Sequence, residues 1–331
     1  MLPVIWRSIA ATAFALALWA PASFGATDCN LKQIASIPAE VTANNQLLID
    51  VTINEMPVKL RVDTGGATSA LSLKFATRAG LPLETMQAAF YGLTGRALDQ
   101  KTRVSALRLG NTISRNADFA IMPIGGDGTD GEPVGLFGAD YLQNYDVEFD
   151  FAGGKMNLFS HEHCVDHVVY WAPDFYKSTI HYGTGAILHT PLINIAVNSM
   201  NMLGLIDTGT PTTTMRLASA RGRLDLSMDE LEAHKVGQGT GVEGVKLDVY
   251  EHIFQSLTFG DITLHNTQMD VMAINAGGHV EKIGSHLKEL SPDEPDVLVG
   301  MSLLKQLHLF IAYSENAIYY TIAKPKQAAA Q

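Results

Sequence analysis

Two short segments of this chain carry residue types suited to acid–base chemistry. Val62-Asp63-Thr64-Gly65 and Ile206-Asp207-Thr208-Gly209 each end an apolar run with an aspartate, a threonine and a glycine. A lone Asp-Thr-Gly is ordinary turn chemistry. Two copies at matching places in a repeated unit are a stronger signal, because a repeated turn has little reason to keep a carboxylate. Two aspartates facing each other closely cannot both ionise cheaply, so they share one proton. The ionised partner can then act as general base on a trapped water, while the protonated partner donates to a carbonyl oxygen. The glycine lets the backbone turn where a side chain would clash. Each threonine can hydrogen-bond across to the other loop and lock both.

The elements that must position these loops occur twice. Leu47 to Asn54 and Val58 to Gly65 match Pro191 to Asn198 and Met202 to Gly209. Both pairs read as a strand, a tight turn, a second strand and a polar loop, with period-two alternation. Further on, Leu136-Phe137-Gly138 and Leu298-Val299-Gly300 each precede a short helical stretch and a hairpin, aligning without a gap through Phe159 and Thr321. Two copies of this length describe a duplicated domain and not a solenoid. The expected fold is mainly β, in two similar lobes about a pseudo-two-fold axis. The expected boundaries are a signal peptide at 1–25, an N-terminal lobe at 26–160, a connection at 161–189 and a C-terminal lobe at 190–331. Ser219 to Lys235 is expected to contain helix, and Asn275 to Asp296 is expected to be a surface excursion with one short helix.

The paired Asp-Thr-Gly loops and paired apolar-apolar-glycine strands resemble the signatures of the pepsin and retropepsin superfamily of aspartic proteases. The resemblance covers roughly Gln46 to Thr321, and each half is short, like bacterial retropepsin-like domains. It implies a two-lobed acid protease fold with an active cleft between lobes. It also implies peptide-bond hydrolysis by Asp63 and Asp207, supported by Thr64, Gly65, Thr208, Gly209 and Thr210, without metal, cofactor or covalent intermediate. The partner implied is a peptide or protein substrate. Both aspartates lie in one chain, so an oligomer is not required for activity.

In that family a glycine-rich hairpin flap closes over the substrate. Ala89 to Gly95 fits this place, with Tyr91 and Gly92 as flap residues, or else Tyr91 is an ordinary hairpin aromatic. Gly239, within Gly237 to Gly241, stands at the matching place as a second flap or a surface hairpin. One departure bears on the chemistry. Thr210 follows the second Asp-Thr-Gly, but Gly66 follows the first. A hydroxyl there favours an ionised carboxylate, so Asp63 is expected to be protonated more readily than Asp207. A pH optimum nearer neutral than pepsin's is expected to follow.

The 331 residues suffice for two domains, and 47% hydrophobic with 17% charged residues describes a globular chain. A net charge of -11 disfavours nucleic acid and anionic membrane as partners. Arg7 followed by an apolar run from Ile9 to Ala20 reads as a secretory signal, with cleavage after Ala22 or Gly25. An uncleaved anchor is the alternative. The mature chain is expected to be soluble, in a periplasm or outside the cell, with little room for a pro-segment. There Cys29 and Cys164 either pair or remain two free thiols. His161, His163, Cys164 and His167 invite a zinc reading, but the His-Glu-x-x-His spacing is absent. The competing function is a non-catalytic peptide-binding module on the same scaffold, which Gly66 leaves open.

Overall fold

The structure is a computed structural model that describes residues 29–91, 97–241, 244–275, 279–282, 288–290 and 293–323. The signal segment at 1–25 and the flap residue Gly92 lie outside the described residues. The chain is mainly β. Its first half contains β1 (Gln33–Val41), β2 (Leu47–Ile53), β3 (Met56–Asp63), β4 (Ala70–Ser72), β5 (Glu84–Tyr91), β6 (Ala97–Leu109), β7 (Thr112–Met122), β8 (Gly135–Gly138), β9 (Asp146–Asp150) and β10 (Lys155–Phe159). Helices α1 (Leu73–Arg78) and α2 (Ala139–Leu142) complete it.

The second half contains β11 (Tyr176–Tyr182), β12 (Pro191–Val197), β13 (Met200–Ile206), β14 (Thr214–Arg216), β15 (Lys235–Thr240), β16 (Lys246–Phe259), β17 (Ile262–Met272), β18 (His279–Lys282), β19 (Lys288–Leu290), β20 (Val297–Val299), β21 (Leu307–Ala312) and β22 (Ala317–Ile322). Helices α3 (Leu217–Leu224), α4 (Met228–Glu232) and α5 (Met301–Leu304) lie among them.

The pairing pattern of the first half recurs in the second. β2 pairs antiparallel with β3, as β12 does with β13. β3 runs parallel to β8, as β13 does to β20. β4 pairs parallel with β7 and antiparallel with β8, as β14 does with β17 and β20. The hairpin turns match too. Asn54-Glu55 and Asn198-Ser199 each have two successive positive-φ residues, the type I′ geometry whose twist suits tight hairpins.

The halves are joined by a sheet in the order β1-β10-β9-β21-β22-β11. β9 and β21 meet at its centre, and one buried apolar cluster runs through residues of both halves. β2, β3, β12 and β13 alternate buried with more exposed positions, so each strand fixes which side chains face the core. Cys29 and Cys164 form a disulfide that ties the start of the described chain to its middle. Cys164 is therefore not a metal ligand. The neighbouring His163 contacts Asp146 and lies near Glu315.

The helices expected between Ser219 and Lys235 are present as α3 and α4. Among the described residues between Asn275 and Asp296 there is no helix. The described part of this excursion forms β18 and β19, which pair with each other. β18 also pairs with β5 of the first half, from His279↔Tyr91 to Lys282↔Ala88. An open strand edge on β5 recruited a strand where the local sequence offered only Val280 as an apolar residue. β1 was also not read from the sequence, although its burial alternates and only Pro38 interrupts its pattern.

Candidate active site

Each Asp-Thr-Gly loop is built by the strand before it and braced by the glycine strand beside it. Gly138 and Gly300 end the bracing strands. A methyl at Gly138 would lie 2.7 Å from the Gly66 carbonyl oxygen, and one at Gly300 would lie 2.2 Å from the Thr212 carbonyl oxygen. Both positions therefore exclude any side chain. The next residue then donates into the loop. Ala139 N bonds Gly66 O at 2.8 Å, and Met301 N bonds Thr210 O at 2.9 Å. Hydroxyls placed alike complete the brace, Ser69 accepting from Gly138 N at 2.8 Å and Thr213 from Gly300 N at 3.2 Å.

The two loops interlock through their threonines. Thr64 Oγ1 donates to Ile206 O at 2.7 Å and accepts from Thr208 N at 3.0 Å. Thr208 Oγ1 donates to Val62 O at 2.9 Å and accepts from Thr64 N at 3.1 Å. Both threonines are fully buried. Each hydroxyl spends both its donor and acceptor capacity on the opposite loop, so neither loop can shift without the other.

The loop glycines are needed for space, as expected, and not for a left-handed turn. Neither Gly65 nor Gly209 adopts positive φ. A methyl on Gly65 would meet Asp207 Cγ at 2.5 Å, and one on Gly209 would meet Asp63 Cγ at 2.3 Å. Each glycine is small so that the opposite carboxylate can sit against its backbone.

Asp63 and Asp207 are both buried, at 7% and 5% exposure. Their surroundings differ. Asp207 Oδ1 accepts from Gly209 N at 2.8 Å and Thr210 N at 3.1 Å, and Oδ2 accepts from Thr210 Oγ1 at 2.6 Å. Among the described residues, the Asp63 carboxyl accepts no side-chain or backbone hydrogen bond. The expected Thr210 contact is thus present. Burial and the negative charge of Asp63 push Asp207 up to about 7, outweighing the pull of Thr210, Gly209 and Arg61. Asp207 thus resists ionisation beside the Asp63 charge.

Asp63 and Asp207 open into a cavity of about 550 Å3 lined by both halves. Its walls are mostly apolar, with Phe90, Leu136, Leu205, Val249, Met272 and Leu298 among them. Such a chamber with a few convergent polar groups is the usual form of a ligand site. Water, a carbonyl and the shared proton could all be accommodated there.

Residues 49–144 match the family model described as gag-polyprotein putative aspartyl protease. The match supports a retropepsin-like aspartic protease domain in the first half, and with it protease activity. It includes Asp63 but ends before Asp207. No curated protein matches the chain.

Of the candidate flap residues, Tyr91 ends β5 and lines the cavity. Gly239 lines it from β15, beside Thr240 and Gly241. A methyl on Gly239 would press the Met272 methyl at 2.9 Å, so this hairpin lies tight against the wall. Arg61, Ser69 and Thr213 also serve the site, although they stand outside the motifs that the sequence marks. The hydroxyls had a detectable signal, since they stand at the same distance after each Asp-Thr-Gly.

Proposed function

We propose that this chain is an aspartic endopeptidase in which Asp63 and Asp207 activate one water for attack on a peptide carbonyl. The observation that carries the proposal is reciprocal. Each loop's glycine packs against the other loop's aspartate, and a four-bond threonine interlock holds that contact. Such a design is costly in buried charge and has no structural use that asparagine would not serve as well. With one proton on the pair, the ionised oxygen takes a proton from water and the protonated carboxyl donates to the carbonyl oxygen. The tetrahedral intermediate then collapses as the amine leaves with a proton from the pair.

In this proposal the duplicated pairings are two lobes, 26–160 and 190–331, related by a pseudo-two-fold axis with the cavity as their cleft. The segment 161–189 connects them. The hairpins near Tyr91 and Gly239 act as flaps, giving main-chain hydrogen bonds to an extended peptide and excluding water. Residues 1–25 direct the chain to a periplasm or the outside, and one chain suffices for activity.

The test is digestion of a denatured protein with and without a pepstatin-type inhibitor. Cleavage by the wild type, blocked by the inhibitor and absent in Asp63→Asn and Asp207→Asn, is expected. Stable peptide binding with no cleavage would overturn it in favour of the non-catalytic binding module. The bare Asp63 carboxyl is the observation that keeps that second reading in view.

A further inference from the structure

Arg61 is an unusual side chain for the place it occupies. It lies on β3 two residues before Asp63, and so on the same strand face. It lines the cavity with both aspartates and is the only cation among the described lining residues. Its Nε is buried and has no hydrogen-bond partner among the described residues. Among the described residues it makes no ion pair, whereas Lys59, two residues earlier on the same face, pairs with Glu40 and Asp50. The other lining carboxylate, on Asp270, is occupied by Thr212 Oγ1 at 2.5 Å. The charge of Arg61 is felt at Asp207 but makes no contact there.

The duplication shows what a neutral wall would look like. Leu48 faces Arg61 in the register where Leu192 faces Leu205. Arg61 lies beside Leu136 on β8 where Leu205 lies beside Leu298 on β20. The same cavity-lining position is thus leucine in one half and arginine in the other. Burying an arginine edge with no partner is unfavourable unless something else supplies the acceptor. The guanidinium fork matches a carboxylate in shape and charge.

We infer that Arg61 is a specificity-determining residue that binds a substrate carboxylate next to the scissile bond, on the Asp63 side of the cleft. The inference rests on the endopeptidase reading for its reaction but not for its binding. The carboxylate comes either from a Glu or Asp side chain or from a peptide's C-terminus. Loss of a charged hydrogen-bonded partner predicts discrimination of about tenfold to a hundredfold.

The experiment compares matched peptides at a pH where Glu is ionised and which lies below about 7. They carry Glu or Gln at each position flanking a cleaved bond, and a free or amidated C-terminus. Wild type should favour Glu over Gln, or acid over amide, at one position. The arm that responds identifies the source of the carboxylate. Arg61→Leu should bring that kcat/KM ratio to about one, and Arg61→Lys should keep part of it. Because the ratio is taken within one enzyme, partial loss of folded protein does not affect it. Cleavage by wild type with no such preference overturns the inference and leaves the endopeptidase reading standing. An altered pH profile in Arg61→Leu with the ratio unchanged also overturns it.

The same peptides, fluorescently tagged, are titrated onto Asp207→Asn chains with and without Arg61→Leu. Arg61-dependent binding of the Glu or free-acid peptide, with no cleavage by wild type, sustains the inference and removes the endopeptidase reading. No such binding and no cleavage removes both.

Discussion

The two halves of this chain share a backbone plan and differ at several positions around the two Asp-Thr-Gly loops. Hairpin turns, bracing glycines, interlocking threonines and the strand pairings other than those of β18 repeat in both halves. Thr210 and Gly66 do not match, nor do Leu205 and Arg61, nor Ser302 and Asp140. Ser302 Oγ accepts from Thr213 N, and Asp140 accepts from Ser69 N at the corresponding place. Burial raises Asp140 above the usual aspartate range despite its Ser69 bonds. The repeated features hold the two aspartates together. The divergent ones surround those aspartates differently in each half, with Thr210 bonded to Asp207 and Gly66 offering Asp63 no hydroxyl.

The repeated set gives the largest expected effects. Asp63→Asn and Asp207→Asn should each lower kcat by about a thousandfold, within the range that acid–base catalysis spans. Gly65→Ala and Gly209→Ala should be as inactive, because each methyl would overlap the opposite carboxyl. Kinetics on a cleaved peptide check all four. Substantial activity in one aspartate variant but not the other would break the equivalence of the halves.

The interlock comes next. Thr64→Val strands the Thr208 N–H and one bond to Ile206 O, and Thr208→Val does the same to Thr64 N–H and Val62 O. Each should cost about 2–4 kcal/mol in urea unfolding, the scale for leaving buried polar groups unpaired. The double variant should cost less than the sum, because the four bonds join the same two loops. Full additivity would mean that the loops are held independently.

Much of this comparison was legible in the sequence, for a physical reason. A duplicated strand–loop–strand unit leaves the same alternation and the same glycine twice, and the repeat distinguishes it from a chance turn. The fate of Cys29 and Cys164 was narrowed because only two cysteines exist, although the chain alone could not say whether they met. Pairings between distant residues were not legible. The β5 and β18 contact joins strands far apart in the chain, and Val280 alone among His279 to Lys282 is a strand-favouring residue. The net direction at Asp207 was not legible for a related reason. The Thr210 hydroxyl could be inferred from one position, but the opposing burial depends on the whole fold.

The pH dependence sharpens the comparison further. The pair needs one proton, and Asp207 resists losing it until about pH 7. Activity should therefore fall as pH rises through about 7, in a kcat/KM profile. Stability should respond in the same window. The carboxyl binds its proton more tightly folded, at about 7, than at the ordinary value of 3.8. The contribution is therefore fully present below about pH 4 and lost as pH rises through 7. Asp207→Asn, which cannot ionise, should gain stability relative to wild type on moving from pH 4 to pH 8, by on the order of a few kcal/mol. A pH-independent difference in thermal unfolding would show that Asp207 is not the strained carboxyl.

The smallest effect isolates the one hydroxyl that separates the loops. Gly66 does not have positive φ, and a side chain there would begin 3.0 Å from Asp63 Cγ, close enough for a hydroxyl to reach the carboxylate. Gly66→Ser should give Asp63 a donor like the one Thr210 gives Asp207. Stabilising the ionised form should move the limbs of the pH–rate profile to lower pH, by about one unit at most. Thr210→Gly removes the corresponding donor and should move them upward. The two shifts must have opposite signs, because one change adds a donor to the shared-proton pair and the other removes one. Shifts of the same sign would mean that crowding of the carboxyls, and not hydrogen bonding, distinguishes the two halves.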